Sequence, residues 1–452
     1  MSHHVSALAR SGPRTGDWTQ LIDDICAGTW INPLTGKQIR SSFDCRIVIE
    51  ESLDCMEAGL VLDLGLRPPF AVVSDTEIHA SPAARLIQNL LKEEDGTQII
   101  LDCPHADMST IRKLTSQLAD YNSAIAVGSG TINDLVKFST YQLRRPYCVF
   151  ATAGSMNGYT SSTASITLDS GLKVSLSAHL PAGFFVDLQI CAAAPARLNA
   201  AGFGDSLCRS VAQIDWWMSH RLLGTEYRHE PYLIEIPDEL QLIRRAADIP
   251  RGDIDAIGTL FRVLTLCGLG ITFTGVSNHG SMGEHQISHY IDCFAGERHP
   301  GSLHGEQVGV ATLTMARIQQ HLLAGEKPPK IKPVVIDYDD MARRMGPDIA
   351  AQCREQRQKK AIDPARAEQL NTKLEQIWPE LRAECREFAI PVDEMRNWLQ
   401  TAGGKTTAKA LGIDVGLYRE AVMHAHEMRD RFSFADLAGA SGILDALAAA
   451  EE

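Results

Sequence analysis

Short apolar runs alternate with amphipathic stretches between residues 44 and 190. The apolar runs predict strands at 46–49, 70–73, 98–101, 124–127 and 148–151. Between them, stretches such as 81–92 and 108–121 repeat apolar residues at three- and four-residue spacing, which is typical of helices. Strands that alternate with helices predict an α/β domain built on a parallel sheet, Rossmann-like in its layout.

The pattern changes after residue 190, where strand signals nearly vanish. Helices are predicted at 205–220, 253–269, 281–294, 306–323 and 417–431, with a charged helical stretch at 325–400. We therefore expect an irregular extension over 1–43 with a short helix near 18–25, an α/β domain over 44–190 and an all-α domain over 191–452. A cleft between the two domains is the expected place for a site.

Composition narrows the class of protein. The 452 residues contain 43 Lys and Arg against 56 Asp and Glu, a net charge of −13, which argues against a nucleic-acid partner held by bulk charge. We expect no membrane partner, since no apolar run reaches the ~18–20 residues that span a bilayer. The 11 cysteines are widely spaced without a CxxC pair, which favours reduced thiols and a cytoplasmic location.

A glycine turn follows the fourth predicted strand. Gly128, Ser129 and Gly130 precede a helix that is predicted to open at about Thr131, with Ile132 on its inner face. Glycines allow close backbone approach to a ligand, and the first N–H groups of a helix favour a phosphate. An ordinary strand-to-helix turn is the alternative, because the motif is not a full GxGxxG.

Two further polar segments follow strands. Asp75 ends the strand at 70–74 and is suited to bind a ribose, although a turn or N-cap aspartate is the alternative. The segment 152–162 is small and rich in hydroxyls, so it suits either the lining of a cofactor site or a surface loop.

Candidate metal ligands lie in the helical half. Asp205 is expected to open a helix, His285 and His289 share one helix face, and His304 opens another helix. A carboxylate with two or three imidazoles can hold a divalent ion and leave positions open for a substrate. Asp205 as an N-cap and the histidines as ordinary polar residues are the alternatives, because spacing alone does not unite the three segments.

Five motifs in order resemble the sn-glycerol-1-phosphate dehydrogenase family. These are GSGTINDLVK, TAGSMNGYTSSTASI, GFGDSLCRS, GEHQISH and HGEQVGVATL, within about 70–437. The family is a branch of the superfamily that holds iron-containing alcohol dehydrogenases, glycerol dehydrogenase and 3-dehydroquinate synthase. The resemblance implies a dehydroquinate synthase-like fold, with an α/β nucleotide-binding domain followed by a helical metal-binding domain.

The resemblance also implies roles for individual residues. NAD(P) is expected to lie against the glycine turn and the hydroxyl-rich segment, and the metal is expected between a carboxylate and two imidazoles. The implied cofactor residues are Asp75, Gly128, Ser129, Gly130, Thr131, Ile132, Thr152, Ser155 and Ser161; the implied metal ligands are Asp205, His285 and His304. His289, Asn157 and Asp205 are the implied catalytic residues, with His289 binding substrate.

Two positions depart from the family pattern. Asn157 stands where the family has Asp, and Ser277-Asn278-His279 replaces its Ser-Arg-Pro, so one expected positive group is missing. His279 and Arg209 are candidates to replace that group. Both departures concern the substrate side, while the nucleotide and metal motifs are intact.

The expected function is that of a metal-dependent NAD(P)H oxidoreductase. It would interconvert dihydroxyacetone phosphate and sn-glycerol 1-phosphate, or act on a close polyol phosphate. Zn²⁺ suits the ligand set best, with Fe²⁺ or Ni²⁺ as options; Asp75 would repel a 2′-phosphate and so favours NAD. Kinship suggests a homodimer. The alternatives are a sugar-phosphate cyclase, disfavoured because 157–166 contains no lysine, and a non-catalytic nucleotide binder.

Overall fold

The parallel sheet predicted for the first half is present. The computed structural model describes residues 18–38, 43–92 and 96–452. The strands within them are β1 Arg46–Glu50, β2 Phe70–Asp75, β3 Gly96–Leu101, β4 Ser123–Gly128, β5 Tyr147–Ala151, β6 Thr163–Thr167, β7 Lys173–Ser177 and β8 Gly183–Asp187. Six of them form one parallel sheet in the order β1-β8-β5-β4-β2-β3, and β6 pairs with β7 in a separate antiparallel hairpin.

Three of these strands were not predicted. β8 is buried at every residue and lies between β1 and β5. Its sequence, GFFVD, is a short apolar run, and that signal was sufficient to identify it. The hairpin β6–β7 follows the hydroxyl-rich segment and turns at Gly171, whose φ of +88° suits a residue without a side chain.

The strand order places two predicted cofactor segments side by side. The chain runs outward from β2 to β3 and then returns to β4, which pairs with β2 on one side and with β5 on the other. This reversal between β2 and β4 is a topological switch point, where open α/β sheets bind ligands at the carboxyl ends of their strands. Asp75 ends β2 and Gly128 ends β4, so both lie at that position.

Helices connect the strands of the first half and dominate the second half, so the predicted helical second half is confirmed. Those of the first half are α1 Gln20–Cys26, α2 Glu57–Asp63, α3 Ala84–Leu91, α4 Met108–Gln117 and α5 Gly130–Leu143. Those that follow are α6 Leu188–Ala192, α7 Ala196–Ser206, α8 Arg209–Leu223, α9 Glu230–Arg244, α10 Ile254–Thr274, α11 Gly283–Phe294, α12 His304–Ala324, α13 Tyr338–Met345, α14 Pro347–Lys359, α15 Pro364–Phe388, α16 Val392–Thr401, α17 Val415–His424, α18 Phe434–Ser441 and α19 Leu444–Ala449. The domain boundaries at 43 and 190 stay predictions.

Helix α10 corrects the expectation that no segment is apolar enough to cross a membrane. Its window Ile254–Thr272 reaches a mean hydropathy of 1.6 over 19 residues, yet 89% of that window is buried inside the protein. A helix buried on all sides in this way is a core helix. The predicted N-terminal extension packs against it, since the Trp18 ring lies over Gly258 and near Arg262; residues 1–17 and 39–42 lie outside the described residues.

Two close backbone contacts fix helix α7. A Cβ at Gly202 would lie 1.8 Å from the carbonyl oxygen of Gly154, in the loop after β5. A Cβ at Gly305 would lie 2.1 Å from the carbonyl oxygen of Ala201. Only glycine permits these approaches. Helix α7 is therefore held against both the sheet and helix α12, and Asp205 near its end is positioned by both.

Candidate metal and nucleotide site

One carboxylate and two imidazoles converge at the centre of the molecule. Donor atoms of Asp205, His285 and His304 all lie within 4.8 Å of one another. His285 Nε2 is 3.3 Å from Asp205 Oδ1, and the side chain of Asp205 is fully buried. The three ligands that the resemblance implied are therefore brought together.

The helix positions of these residues were only partly predicted. His304 is the first residue of α12, as expected. His285 lies in the first turn of α11, which begins at Gly283 rather than at 281. Asp205 lies in the last turn of α7 and not at a helix start. The alternative that Asp205 is an N-cap is therefore wrong, because its Oδ2 accepts a hydrogen bond from the Asn157 backbone N–H at 2.8 Å instead.

Hydrogen bonds orient both histidines towards Asp205. His285 Nδ1 is 3.0 Å from Oε1 of Glu284, and His304 Nδ1 is 3.0 Å from Ser288 Oγ, which itself donates to Gln307 Oε1 at 2.8 Å. With both Nδ1 atoms committed as donors, each Nε2 lone pair is available, which is the usual arrangement of metal-bound histidine. These partners were not predicted.

The donor set fits a divalent cation. Asp205 Oδ1 is buried and has no hydrogen-bond partner, although an orphaned buried carboxylate oxygen is costly. Two imidazole nitrogens and one carboxylate oxygen match the ligands of catalytic zinc and iron sites, which leave positions open for a substrate. A cation among these three atoms would satisfy the orphaned oxygen.

The charges around the cluster favour a cation there. Burial lowers the pKa of His285, but the nearby carboxylates of Asp205 and Glu284 outweigh burial and raise that pKa to about 9. Burial raises the pKa of Asp205, but the nearby His285 lowers that pKa by more, so the net pKa of Asp205 lies below its usual value. Burial lowers the pKa of His304 to about 4. The cluster thus stabilises one positive charge between its donors.

His289 lies one turn along α11 and faces the same site. Its ring centre is 5.6 Å from that of His304 and 6.3 Å from that of His285. Arg429 donates to His289 Nδ1 at 2.9 Å. Burial and the Arg429 charge hold the pKa of His289 well below its ordinary value. His289 is therefore neutral, with Nδ1 as acceptor and its proton on Nε2.

The two predicted cofactor segments are in direct contact. The Thr152 N–H donates to the Gly128 carbonyl at 3.2 Å. Helix α5 begins at Gly130, one residue before the predicted start, and its N-cap Ser129 makes no side-chain capping bond. The first backbone N–H groups of α5 lie at the switch point, which is the arrangement that binds a pyrophosphate.

Lys137 holds the hydroxyl-rich segment in place. Its buried Nζ donates to the Gly158 carbonyl at 2.7 Å and to the Ser161 and Thr163 carbonyls at 3.1 Å each. The Ser161 hydroxyl lies 2.9 Å from two of these carbonyl oxygens, so it is satisfied within its own loop. Asp75 acts as a turn residue, which was its alternative role, because its side chain accepts a hydrogen bond from the Ile78 N–H at 3.0 Å. The cofactor roles of Ser161, Ser155 and Asp75 stay proposals.

Both halves of the chain line one cleft. Asn157, Gly158 and Ser161 come from the loop after β5, and they face residues of the helical half across the cleft. The helical residues include Cys267, Ser277, Ser281, His285, His289 and His304. The metal cluster therefore opens onto the same cleft as the hydroxyl-rich segment.

Neither sequence candidate for the missing positive group reaches this cleft. Arg209 pairs with the buried Glu239, and His279 is buried beside Cys267. Arg431 contacts the turn that lines this cleft, donating to the Ser281 carbonyl and to Ser277 Oγ, while its own side chain lines a separate pocket on the other side of that turn. Burial lowers the pKa of Arg431 to about 9. The C-terminal segment thus places a guanidinium against the Ser277–Ser281 turn that lacks the family's arginine.

Sheet, cleft and ligand cluster together define a dinucleotide-binding, metal-holding class of protein, and comparisons with known proteins agree. The family profile described as iron-containing alcohol dehydrogenase matches residues 48–195. Glycerol-1-phosphate dehydrogenase (NAD(P)+) of Bacillus velezensis is 29% identical over 331 residues, 73% of each chain. The enzyme of that name from Pyrococcus furiosus is 30% identical over 236 residues, which are 52% of this chain and 67% of the relative.

A solved structure supports the fold. That of a probable glycerol dehydrogenase from Sinorhizobium meliloti matches with a TM-score of 0.57 at 17% identity, over 89% of this chain and 97% of the other. The chain therefore belongs to the iron-containing alcohol dehydrogenase family, and its curated relatives are glycerol-1-phosphate dehydrogenases. The predicted family and the predicted dehydroquinate synthase-like fold class are confirmed.

Proposed function

We propose that the protein is a metal-dependent NAD(P)H oxidoreductase that interconverts dihydroxyacetone phosphate and sn-glycerol 1-phosphate. The reaction is balanced by one hydride from NAD(P)H and one proton, which convert the ketone into the secondary alcohol. The observation that carries the proposal is the convergence of Asp205, His285 and His304 on the cleft that also receives the loop after β5. The names of the curated relatives support the substrate and the cofactor.

The metal would be held by Asp205, His285 and His304. Bound there, a divalent ion supplies Lewis-acid polarisation of the substrate carbonyl. The protein's part is orientation, because Glu284 and Ser288 fix the two imidazole rings and the Asn157 N–H fixes the carboxylate. The fixed geometry lets the site bind the cation without rearrangement.

His289 is proposed to bind the substrate and relay its proton. Arg429 occupies Nδ1, so the proton on Nε2 is the one available to an oxygen in the cleft. A neutral imidazole can donate that proton to the carbonyl oxygen as hydride arrives and recover it afterwards. Asn157 contributes its backbone N–H to Asp205 and its side chain to the cleft, which retains the position without the family's negative charge.

Arg431 is proposed to attract the phosphate of the substrate. No carboxylate is paired with Arg431 or Arg429 among the described residues, while Lys173 is paired with Asp292 at 2.6 Å. Arg431 is only partly buried and forms no close ion pair with a described residue, and a guanidinium is a bidentate partner for a phosphate. The positive group lost at Asn278 is thereby replaced from another part of the chain.

The cofactor is proposed to lie along the switch point. Its pyrophosphate would meet the N–H groups of Gly130, Thr131 and Ile132, and Thr152 and Ser155 would line the nicotinamide half. Asp75 beside the adenine ribose favours NAD over NADP, because a 2′-phosphate would be repelled. A cytoplasmic location and a homodimer are further parts of this proposal.

Substrate discrimination tests the proposal. Oxidation of NADH should be observed with dihydroxyacetone phosphate. It should be at least about tenfold less efficient with unphosphorylated dihydroxyacetone, because that substrate lacks the phosphate that would pair with Arg431. Release of inorganic phosphate without net oxidation of NADH would instead establish the cyclase alternative. Nucleotide binding without any turnover would establish the non-catalytic one.

A further inference from the structure

A second cluster of metal-ligating side chains lies at the wall of the cleft, which one of its members, Cys267, lines. Donor atoms of Glu235, Cys267 and His279 lie within 4.8 Å of one another, and the three come from α9, α10 and the turn between α10 and α11. All three are more than nine-tenths buried: Glu235 is 3% exposed, Cys267 7% and His279 0%. We propose that these residues form a second, structural metal site that binds Zn²⁺.

The spacing of the donors is that of ligands around one ion. His279 Nε2 is 3.8 Å from Cys267 Sγ and 3.9 Å from Glu235 Oε1. Ligands at zinc distances of about 2.0–2.3 Å and tetrahedral angles lie about 3.3–3.8 Å apart. The two distances to His279 are therefore within a few tenths of an ångström of those expected for two ligands of one ion, and the third pair of donors lies within 4.8 Å.

An unsatisfied oxygen points into the cluster. Glu235 Oε1, the atom nearest to His279, is buried and has no hydrogen-bond partner. The guanidinium of Arg209, whose charge acts on Glu235, is already paired with Glu239. A buried carboxylate oxygen without a donor costs on the order of 1–3 kcal/mol, and a cation at this place removes that cost.

The charges balance in the bound state. A thiolate on Cys267 and a carboxylate on Glu235 carry two negative charges, which neutralise Zn²⁺, and His279 binds as a neutral imidazole. Arg209 and Glu239 neutralise each other alongside. Binding would release the thiol proton and any proton on the carboxyl group. The cluster can therefore hold a dication in the interior without leaving net charge there.

Two glycines leave room for the cluster. A Cβ at Gly270 would lie 2.6 Å from His279 Nε2, and a Cβ at Gly280 would lie 2.6 Å from Cys267 Sγ. Without a metal, His279 Nε2–H donates to the backbone carbonyl of Cys267 at 2.9 Å, so metal binding would replace this hydrogen bond, move the imidazole proton to Nδ1 and free that carbonyl to become the fourth ligand. The site would clamp α9, α10 and the Ser277–Ser281 turn behind Asn157 and the cleft.

Cobalt substitution tests the site without reference to activity. The purified chain should hold about two Co²⁺ ions after exchange and show thiolate-to-cobalt charge-transfer absorption in the near ultraviolet. The Asp205, His285 and His304 set contains no sulfur, so this absorption reports only a cysteine-bound ion. Absence of the absorption in the unaltered chain, with about one ion bound, would overturn the proposal.

Variants locate the ion. Cys267→Ser should abolish the absorption and lower the cobalt content from about two to about one, whereas Asp205→Asn should lose an ion and keep the absorption. Cys208→Ser is the matched control, because Cys208 is buried nearby, beside Glu284 and His285. Absorption that survives Cys267→Ser, or that is lost in Cys208→Ser, contradicts the assignment. If Cys267→Ser does not fold, the test relies on two other spectra. The unaltered chain must show the thiolate-to-cobalt absorption, and Glu235→Gln must shift or weaken it.

Discussion

The Asn157 backbone N–H donates to Oδ2 of Asp205 at 2.8 Å and so joins the loop after β5 to the metal cluster. The bond uses the backbone, so the Asn157 side chain is free to differ from the family's Asp without loosening Asp205. The loop proposed to line the nucleotide and the proposed metal ligand Asp205 are consequently held in one fixed relation, as hydride transfer from the cofactor to a metal-bound substrate would require.

Substitution of Gly202 should break this relation. In Gly202→Ala, the new methyl group would meet the Gly154 carbonyl, so α7 and the loop after β5 must separate. We expect a loss of about 2 kcal/mol or more in unfolding free energy and weaker binding of both NADH and metal. Chemical denaturation and NADH titration check this. Gly59→Ala is the control, since nothing lies within 4 Å of its Cβ, and it should be neutral or slightly stabilising.

Glu284 should control metal affinity through His285. Glu284→Gln weakens the acceptor for His285 Nδ1 and lowers the basicity of the imidazole. Metal affinity should fall about 10- to 100-fold while NADH affinity is unchanged. Competition with a chelator of known affinity measures the first, and fluorescence titration the second. The exposed Glu297→Gln should change neither; an unaltered metal affinity in Glu284→Gln contradicts the orienting role.

Arg431 should discriminate phosphorylated from unphosphorylated substrates. Removal of its charge in Arg431→Gln should raise KM for dihydroxyacetone phosphate about 10- to 100-fold, because a charge-assisted hydrogen bond is lost. The kinetic constants for unphosphorylated dihydroxyacetone should change by less than about twofold. Arg298→Gln, at an exposed arginine, serves as the control. Equal losses for both substrates would show that Arg431 only stabilises the Ser277–Ser281 turn.

The glycine turn and the helices that carry His285 and His304 could be predicted because their sequence signals are local. A Gly-Ser-Gly-Thr sequence after an apolar strand and a polar residue at a helix start are visible in a few residues, and β4, α5 and the start of α12 follow them. Asp205 was predicted at the start of a helix, but it lies in the last turn of α7. The Gly202 and Gly204 signal there reports close packing against Gly154 and Gly305, and not a helix start.

The rest of the site depends on contacts between distant residues. Arg429 and His289 are 140 residues apart, and Arg431 and Ser277 are 154 apart. No pattern within a single segment identifies such pairs, so the contact of Arg431 with the Ser277–Ser281 turn could not be predicted. The second cluster likewise requires three elements to meet, and its histidine was predicted only as a substrate-side residue.

Asp205, His285 and His304 are proposed to hold the metal on which ketone reduction depends. The most direct test is NADH oxidation with dihydroxyacetone phosphate by the purified chain before chelation, after chelation and after addition of Zn²⁺ or Fe²⁺, in parallel with Asp205→Asn. We expect turnover to be lost on chelation and restored by metal in the unaltered chain, and to be absent in the variant although NADH still binds. Full turnover after complete removal of metal, or in Asp205→Asn, would show that these residues do not hold a metal required for the reaction.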